Sequence, residues 1–298
     1  MELLGFTLNG LSSGAIYALV ALGMVIVFKA TDVLNFAHPS VLIVGTYIIA
    51  MLHTGLGWPF WASAAAGILA SAVLGILIER LLIKPFSKRQ EMVAAGIMTI
   101  GLSIVLDTIM QHQIGARMMS TGDPWGNSTV QVLGASMSVA RLTALIVAAV
   151  LLLAFYIWLQ RSDFGVGMRA AADDPETAAL MGVSLNKTSM VAWALAAMLA
   201  TIGGIFLVSY PSAGLDVTVT SVVFNAIPAA VIGGMDSTTG AVVGGLIVGL
   251  TQAYVLGFQS SLTFLGNNFA PAAPYLIMLI VLMIRPAGLF GTKEVSRV

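Results

Sequence analysis

Nine stretches of about twenty apolar residues each follow one another along this chain, and a stretch of that length matches the hydrocarbon thickness of a bilayer. They run Leu3–Phe28, Val33–Leu52, Phe60–Ile83, Met92–Met110, Leu142–Leu159, Thr188–Tyr210, Val217–Met235, Thr239–Phe258 and Phe269–Ile284. Of the 298 residues, 58% are hydrophobic and only 9% charged, against roughly 25% charged in an ordinary soluble domain. That composition cannot cover so much apolar side chain in water, so the solvent for this chain is lipid. The first stretch is too long for a signal-peptide core and reads as a retained helix. Proline interrupts two stretches, at Pro39 and Pro228. The expectation is therefore an all-α polytopic membrane protein with eight or nine transmembrane or discontinuous helices, forming a single domain over 1–298.

Basic residues orient such a chain, because Lys and Arg concentrate at cytoplasmic span ends. With nine alternating segments, Lys29, Arg80, Lys84, Lys88, Arg89, Arg161, Arg169, Lys187, Arg285, Lys293 and Arg297 share one side; only Arg117 and Arg141 fall on the other. This predicts an outside N-terminus and a cytoplasmic C-terminus. A net charge of +0 offers no basic field for nucleic acid, and the absence of cysteine excludes thiolate metal sites and cysteine nucleophiles. His38, His53 and His112 have no paired spacing, so no metal site is expected.

Proton pumps and voltage sensors need ionisable groups at depth. The candidates here, Asp107 and Glu79, are read as lying near span ends, where snorkelling or a neighbour such as Arg80 solvates them. Gly10-Leu-Ser-Ser-Gly14 fits the G-x-S-x-G pattern of serine hydrolases, but that motif needs a strained strand-to-helix turn and a His base. Within an apolar helix, Gly10, Ser13 and Gly14 read as a close-packing face instead. No catalytic residue is expected. A secondary transporter or channel, which would also show broken helices, is the competing class.

The most informative polar stretch is Arg161–Lys187. Asp173 and Asp174 precede Pro175, which suits a first helical turn, and Glu176 favours the helix N-terminus. Ala178, Ala179, Leu180 and Met181 follow, and Gly182 supplies the stop. One short amphipathic helix is predicted there, either resting on lipid or docking a soluble partner.

Four stretches in this order resemble the branched-chain amino acid ABC transporter permeases of the LivH type. Arg169-Ala-Ala-Ala-Asp-Asp-Pro-Glu-Thr-Ala-Ala-Leu-Met-Gly-Val183 is similar to the coupling loop of ABC importer permeases. The others are Val33-Leu-Asn-Phe-Ala-His38, Val231-Ile-Gly-Gly-Met-Asp-Ser-Thr-Thr-Gly-Ala-Val-Val-Gly-Gly245 and Ile284-Arg-Pro-Ala-Gly-Leu-Phe-Gly291. Pro39 stands where that family usually has Gly. No G-x-x-x-x-G-K-[S/T] phosphate loop occurs, so ATP and Mg would be handled by other chains. The resemblance implies two cytoplasmic ABC ATPase subunits, a second homologous permease subunit, a periplasmic solute-binding protein and a bacterial inner-membrane location. It implies leucine, isoleucine or valine as substrate, with urea, amides and other amino acids carried by relatives. Asp173, Asp174, Glu176, Ala178, Ala179 and Gly182 would couple to the ATPase.

Aligning Pro39 with Pro228 lays Asn35–Gly45 over Phe224–Gly234, with Ala37 on Ala226, Ile43 on Ile232 and Gly45 on Gly234. The two segments lie five spans apart, so they run in opposite directions, as an inverted repeat requires. Asn35, His38, Ser40 and Asn225 are the candidates for the transport path.

Overall fold

A computed structural model describes residues 2–87, 92–115, 119–122, 124–126, 128–132, 134–209, 214–216, 219, 223–262 and 269–292. Its helices in chain order are α1 (Glu2–Thr31), α2 (His38–Ala50), α3 (Phe60–Ile78), α4 (Lys84–Ser87), α5 (Met92–Ile114), α6 (Val139–Arg161), α7 (Asp163–Asp173), α8 (Pro175–Leu180), α9 (Leu185–Ser209), α10 (Ala226–Gly233), α11 (Thr238–Gly257) and α12 (Ala273–Ile284). Two π-helical turns, Met51–Gly55 and Glu79–Ile83, extend α2 and α3.

Among the described residues, six helical runs are long and apolar enough to cross a membrane: Glu2–Thr31, Phe60–Phe86, Val93–Ile114, Val139–Arg161, Leu185–Ser209 and Thr238–Gly257. The other three apolar stretches form shorter helices. α2 has 13 residues before its π turn, α10 has 8 and α12 has 12. α10 alone, at about 1.5 Å per residue, covers well under half the hydrocarbon thickness.

Both prolines sit in the first turn of a helix rather than inside one. There the missing N–H is one that helix geometry leaves unpaired anyway, so Pro39 and Pro228 start helices where the sequence suggested that they break them. Matching turns precede them: His38 N donates to Asn35 O at 3.4 Å, and Ile227 N to Phe224 O at 3.0 Å. The similarity ends at the far side, because α2 continues past Gly45 whereas α10 stops at Gly234, whose φ is +105°.

Close crossings of α1 and α11 form one side of the core. A methyl at Gly10 would lie 2.9 Å from the Leu250 Cα, and one at Gly14 2.9 Å from the Gly245 carbonyl. Gly245 and Gly249 return the contact against the backbones of Ala18 and Gly14. The close-packing reading of Gly10 and Gly14 therefore holds, and hydrolysis is not supported. Ser12 is 1% exposed and donates to the Arg141 carbonyl at 2.9 Å, in mid-helix. On the other side α3 crosses α9, with Gly75 against the Trp193 carbonyl. α1 and α9 run antiparallel against each other, Val20 meeting Gly203 and Gly23 meeting Ala196. α2 packs on α3, α5 and α9, and correspondingly α10 packs on α11, α12 and α1.

The all-α expectation misses one feature. Thr129–Val132 and Ala135–Ser138 form an antiparallel hairpin, β1–β2, in the register Thr129↔Ser138 and Val130↔Met137, turning through Gly134 at φ +87°. Ser138 then caps α6 by accepting from Arg141 N at 3.3 Å.

Candidate functional site

Two regions hold the side chains with chemistry: the irregular backbone ahead of α2 and α10, and the connection from α6 to α9. Between α1 and α2 the chain leaves helix at Asp32, at φ +55°, and returns through irregular backbone and a turn at Phe36–Ala37 to His38. Peptide groups exposed within a membrane must find partners inside the protein. Thr99 of α5, fully buried, serves two: its hydroxyl accepts from Phe36 N at 3.1 Å and shares its one proton between Leu34 O at 3.0 Å and Gly96 O of its own helix at 2.7 Å. Asn35 Oδ1 accepts from Ala37 N at 3.1 Å. Thr99 looks like any other small residue of an apolar span, and sequence reasoning missed it.

The four proposed path residues are all buried. His38 is 1% exposed, its Nε2 lies 3.1 Å from Val20 O, and its ring fills the space left by Gly23. Asn35 is 3% exposed. Ser40 is 1% exposed and donates to Ser103 O of α5 at 3.4 Å. Asn225, 4% exposed, stands beside the Tyr17 hydroxyl, which donates to Gln252 Oε1 at 2.8 Å. Val20 and Tyr17 are neighbours on α1, so both irregular segments rest on one stretch of that helix. His38 meets it at Val20 and Asn225 at Tyr17.

Two carboxylates lie more than a turn inside the long helical runs. Glu79 is 3% exposed and accepts from Ser189 Oγ of α9 at 3.0 Å. It is therefore a buried helix–helix contact, not the snorkelling side chain that its position near a span end suggested. Asp107 is seven residues from the end of α5, and its Oδ1 is buried without a hydrogen-bond partner among the described residues. It too does not reach the span end.

In the second region the sequence predicts one short helix, and the structure has two. Ser162 ends α6 through its N–H to Trp158 O, at 2.8 Å, and starts α7 by accepting from Gly165 N at 3.1 Å. Arg169 Nη1 donates to Leu159 O at 2.8 Å, satisfying a carbonyl near the end of α6, and Trp158 stacks on Phe164 with centroids 5.1 Å apart. Asp173 is the last residue of α7, so it lies outside the short helix. Asp174 is the cap of α8, its Oδ1 accepting from Glu176 N at 3.0 Å and Thr177 N at 3.1 Å and its Oδ2 from Thr177 Oγ1 at 2.6 Å. Those bonds, the Thr177 hydroxyl first, hold the Asp174 carboxyl below the ordinary carboxylate range. At the other end Gly182 takes φ +90°, and Gly182 N reaches Ala179 O and Val183 N reaches Ala178 O, both at 3.0 Å. This is a complete Schellman closure. Ala178 is buried, while Leu180 and Met181 are 87% and 81% exposed.

Two of the resembling stretches meet in space. Leu289 N donates to Ile232 O at 2.9 Å, Phe290 N to Gly233 O at 3.0 Å, and Thr292 N to Asp236 Oδ2 at 2.9 Å. Gly234 and Gly288, both with positive φ, allow the two backbones to touch. Lys29 Nζ closes the group from the end of α1 by donating to Asp236 O at 3.2 Å.

Comparison with known proteins matches residues 6–285 to the family described as branched-chain amino acid transport system / permease component. The chain belongs to that family. It is 28% identical to the high-affinity branched-chain amino acid transport system permease protein LivH of Escherichia coli K12, over 97% of this chain and 96% of the relative. It is 27% identical to BraD, the corresponding permease protein of Pseudomonas aeruginosa, over 97% and 96%. The fold resembles a chain in the structure of PsaBC from Streptococcus pneumoniae in complex with Fab, with a TM-score of 0.51 and 17% identity, covering 94% of this chain and 91% of that one. The family is one of transport permeases, not of enzymes, and the permease is an all-α polytopic membrane protein apart from the hairpin found among the described residues.

Proposed function

We propose that this permease is one membrane subunit of an ATP-driven importer for leucine, isoleucine, valine or a related small solute in a bacterial inner membrane. It pairs with a second homologous permease chain, two cytoplasmic ABC ATPase subunits carrying ATP and Mg, and a periplasmic solute-binding protein. The observation that carries the reading is α8. A six-residue helix closed at both ends holds two adjacent apolar side chains, Leu180 and Met181, out in solvent. Burying such a side chain against a partner contributes about 1.5–3 kcal/mol, and the caps keep the helix from fraying under load. The identity of the relatives, as branched-chain amino acid permeases, supports the substrate class.

In this reading the connection 161–187 is cytoplasmic and the N-terminus is outside. Asp174, Glu176, Ala178, Ala179 and Gly182 form the coupling helix, with Asp173 at its entrance. The short α2, α10 and α12 join the six long helices as discontinuous segments, bringing the count to nine. The reciprocal packing of α1–α2–α3–α5 and α9–α10–α11–α12 supports an inverted repeat, and Asn35, His38, Ser40 and Asn225 belong to the irregular segments that flank the path.

Uptake of labelled leucine by cells, with and without ATP depletion, tests the reading. Gly182→Val forces a β-branched residue into positive φ without meeting any neighbour within 4 Å. It should depress uptake and binding-protein-stimulated ATP hydrolysis together while the protein still inserts. Parental uptake by this variant at normal abundance would refute the coupling role.

A further inference from the structure

Of the two carboxylates inside the long helical runs, Glu79 is accounted for by Ser189 and Asp107 is not. Asp107 lies about 10 Å along the helix axis from Ile114 and about 22 Å from Met92, which places it within the hydrocarbon region rather than at its rim. Its Oδ1 is buried against α2 and receives no hydrogen bond among the described residues. The Ser40 hydroxyl stands beside the Asp107 carboxylate and also lies 3.4 Å from the Ser103 carbonyl. A single hydroxyl proton cannot fully serve both acceptors.

Charged groups at this depth face either the protein interior or a water-filled cavity. The interior side is occupied, since α5 meets α2 there through Thr99, Ser103 and Ser40. The rest of Asp107 is half-exposed, on a helix whose Ile97 and Ile104 are 64% and 62% exposed and which packs mainly on α2. Thr99, Ser103 and Asp107 follow at spacings of four, so they form one stripe along α5. Thr99 is buried at one end of this stripe, and the partly exposed Ser103 and Asp107 are a poor lipid-facing surface and a good lining for a solute with a positive end.

We propose that Asp107, flanked by Ser40 and Ser103, is the subsite that receives the ammonium group of a zwitterionic solute as it passes along the α2–α5 seam. This deepens the importer reading and rests on it for the substrate class. An apolar amino acid presents one cation, one anion and an aliphatic side chain. The carboxylate answers the first, and the apolar flanks of the stripe tolerate the last. Oδ1 is then an acceptor that no protein donor fully serves, so that the solute can supply one. Asp107 discriminates an amine-bearing solute from its deaminated analogue, which would bring a second negative charge toward the carboxylate.

The test uses the assembled complex in membrane vesicles and a chain that has no native cysteine. Ser103→Cys places a thiol one turn from Asp107; Gln111→Cys, one turn to the other side, replaces it if the first lowers abundance. A cationic methanethiosulfonate should modify Cys at this position about tenfold faster than an anionic one, and Asp107→Asn should bring the two rates close together. In the cysteine-free background Asp107→Asn, at parental abundance, should lower leucine uptake about tenfold or more, and Asp107→Glu should restore part of the uptake. Equal rates for the two reagents beside an intact Asp107, or parental leucine uptake by Asp107→Asn, would overturn the proposal. Charge-selective modification in a complex that shows no ATP-dependent leucine uptake would leave the cation subsite standing and refute the importer reading instead.

Discussion

Replacing Gly245 by alanine adds one methyl where no methyl fits. Its carbon would lie 2.5 Å from Ala18 N, 2.6 Å from Ala18 Cα and 2.7 Å from Ala18 Cβ. Ordinary carbon contacts begin near 3.5 Å, so α1 and α11 must separate by about 1 Å at this level. No rotamer change relieves the clash, because two of the three atoms are α1 backbone. A gap of 0.5–1 Å forfeits about a quarter to a half of the dispersion energy of the pairs that face it. Over the two turns between Gly10 and Ala18 some tens of atom pairs are affected, and the loss comes to about 1–3 kcal/mol, as for other overpacked sites. No hydrophobic gain offsets it, since lipid is as apolar as the seam. The apparent Tm of the detergent-solubilised protein should fall by about 2–10 °C. Gly101→Ala is the control, with nothing within 4 Å of the added methyl, and should leave Tm unchanged or raised. If Gly245→Ala and Gly101→Ala melt together, the seam is not close-packed in the way described.

Thr99→Val should destabilise the protein by about 1–3 kcal/mol, because it strands Phe36 N–H and Leu34 C=O in the membrane; Thr99→Ser should retain most of the stability in the same melt. Asp174 carries a carboxyl lowered by its bonds to Thr177 and Glu176, so its cap is at full strength above the ordinary carboxylate range and is lost as pH falls through the folded value. Hydrogen exchange in 175–180, corrected for intrinsic rates, should therefore accelerate only in strong acid, and Asp174→Ala should abolish that pH step. Cysteine at Ser184 should resist an impermeant thiol reagent in intact cells and cysteine at Gly55 should react; the opposite pattern would reverse the orientation and remove the coupling argument.

The long helices were legible because their apolar runs are continuous, and the short α8 because Asp174, Pro175 and Gly182 mark its ends. What hydropathy could not separate is a span from a re-entrant segment. Val33–Leu52 reads as one run, yet the chain is non-helical from Asp32 to Asn35 and turns through Phe36 and Ala37 before α2 begins, since Val33 and Leu34 are as apolar outside a helix as within one. Pro39 and Pro228 marked irregular backbone correctly, but the position of a proline relative to a helix start depends on which upstream peptide groups find partners, and Thr99 lies 60 residues further along the chain. Asp173 was placed in the short helix because its neighbour Asp174 is an equally good cap, and only the bonds from Glu176 and Thr177 decide between them. The start of the expected segment Val217–Met235, at 217–222, lies largely outside the described residues.

The glycine crossings of α1 with α11, and of α3 with α9, also bear on how the permease can move. Backbones in direct contact have no side chains to act as bearings, so sliding or tilting at either crossing would first have to pull the helices apart. α1, α3, α9 and α11 therefore behave as one stiff block, and α5, α12 and the α7–α8 elbow are carried at its margins. Such a block moves as a unit, so a load applied at Leu180 and Met181 would reach the membrane as rotation of the block rather than as bending within it.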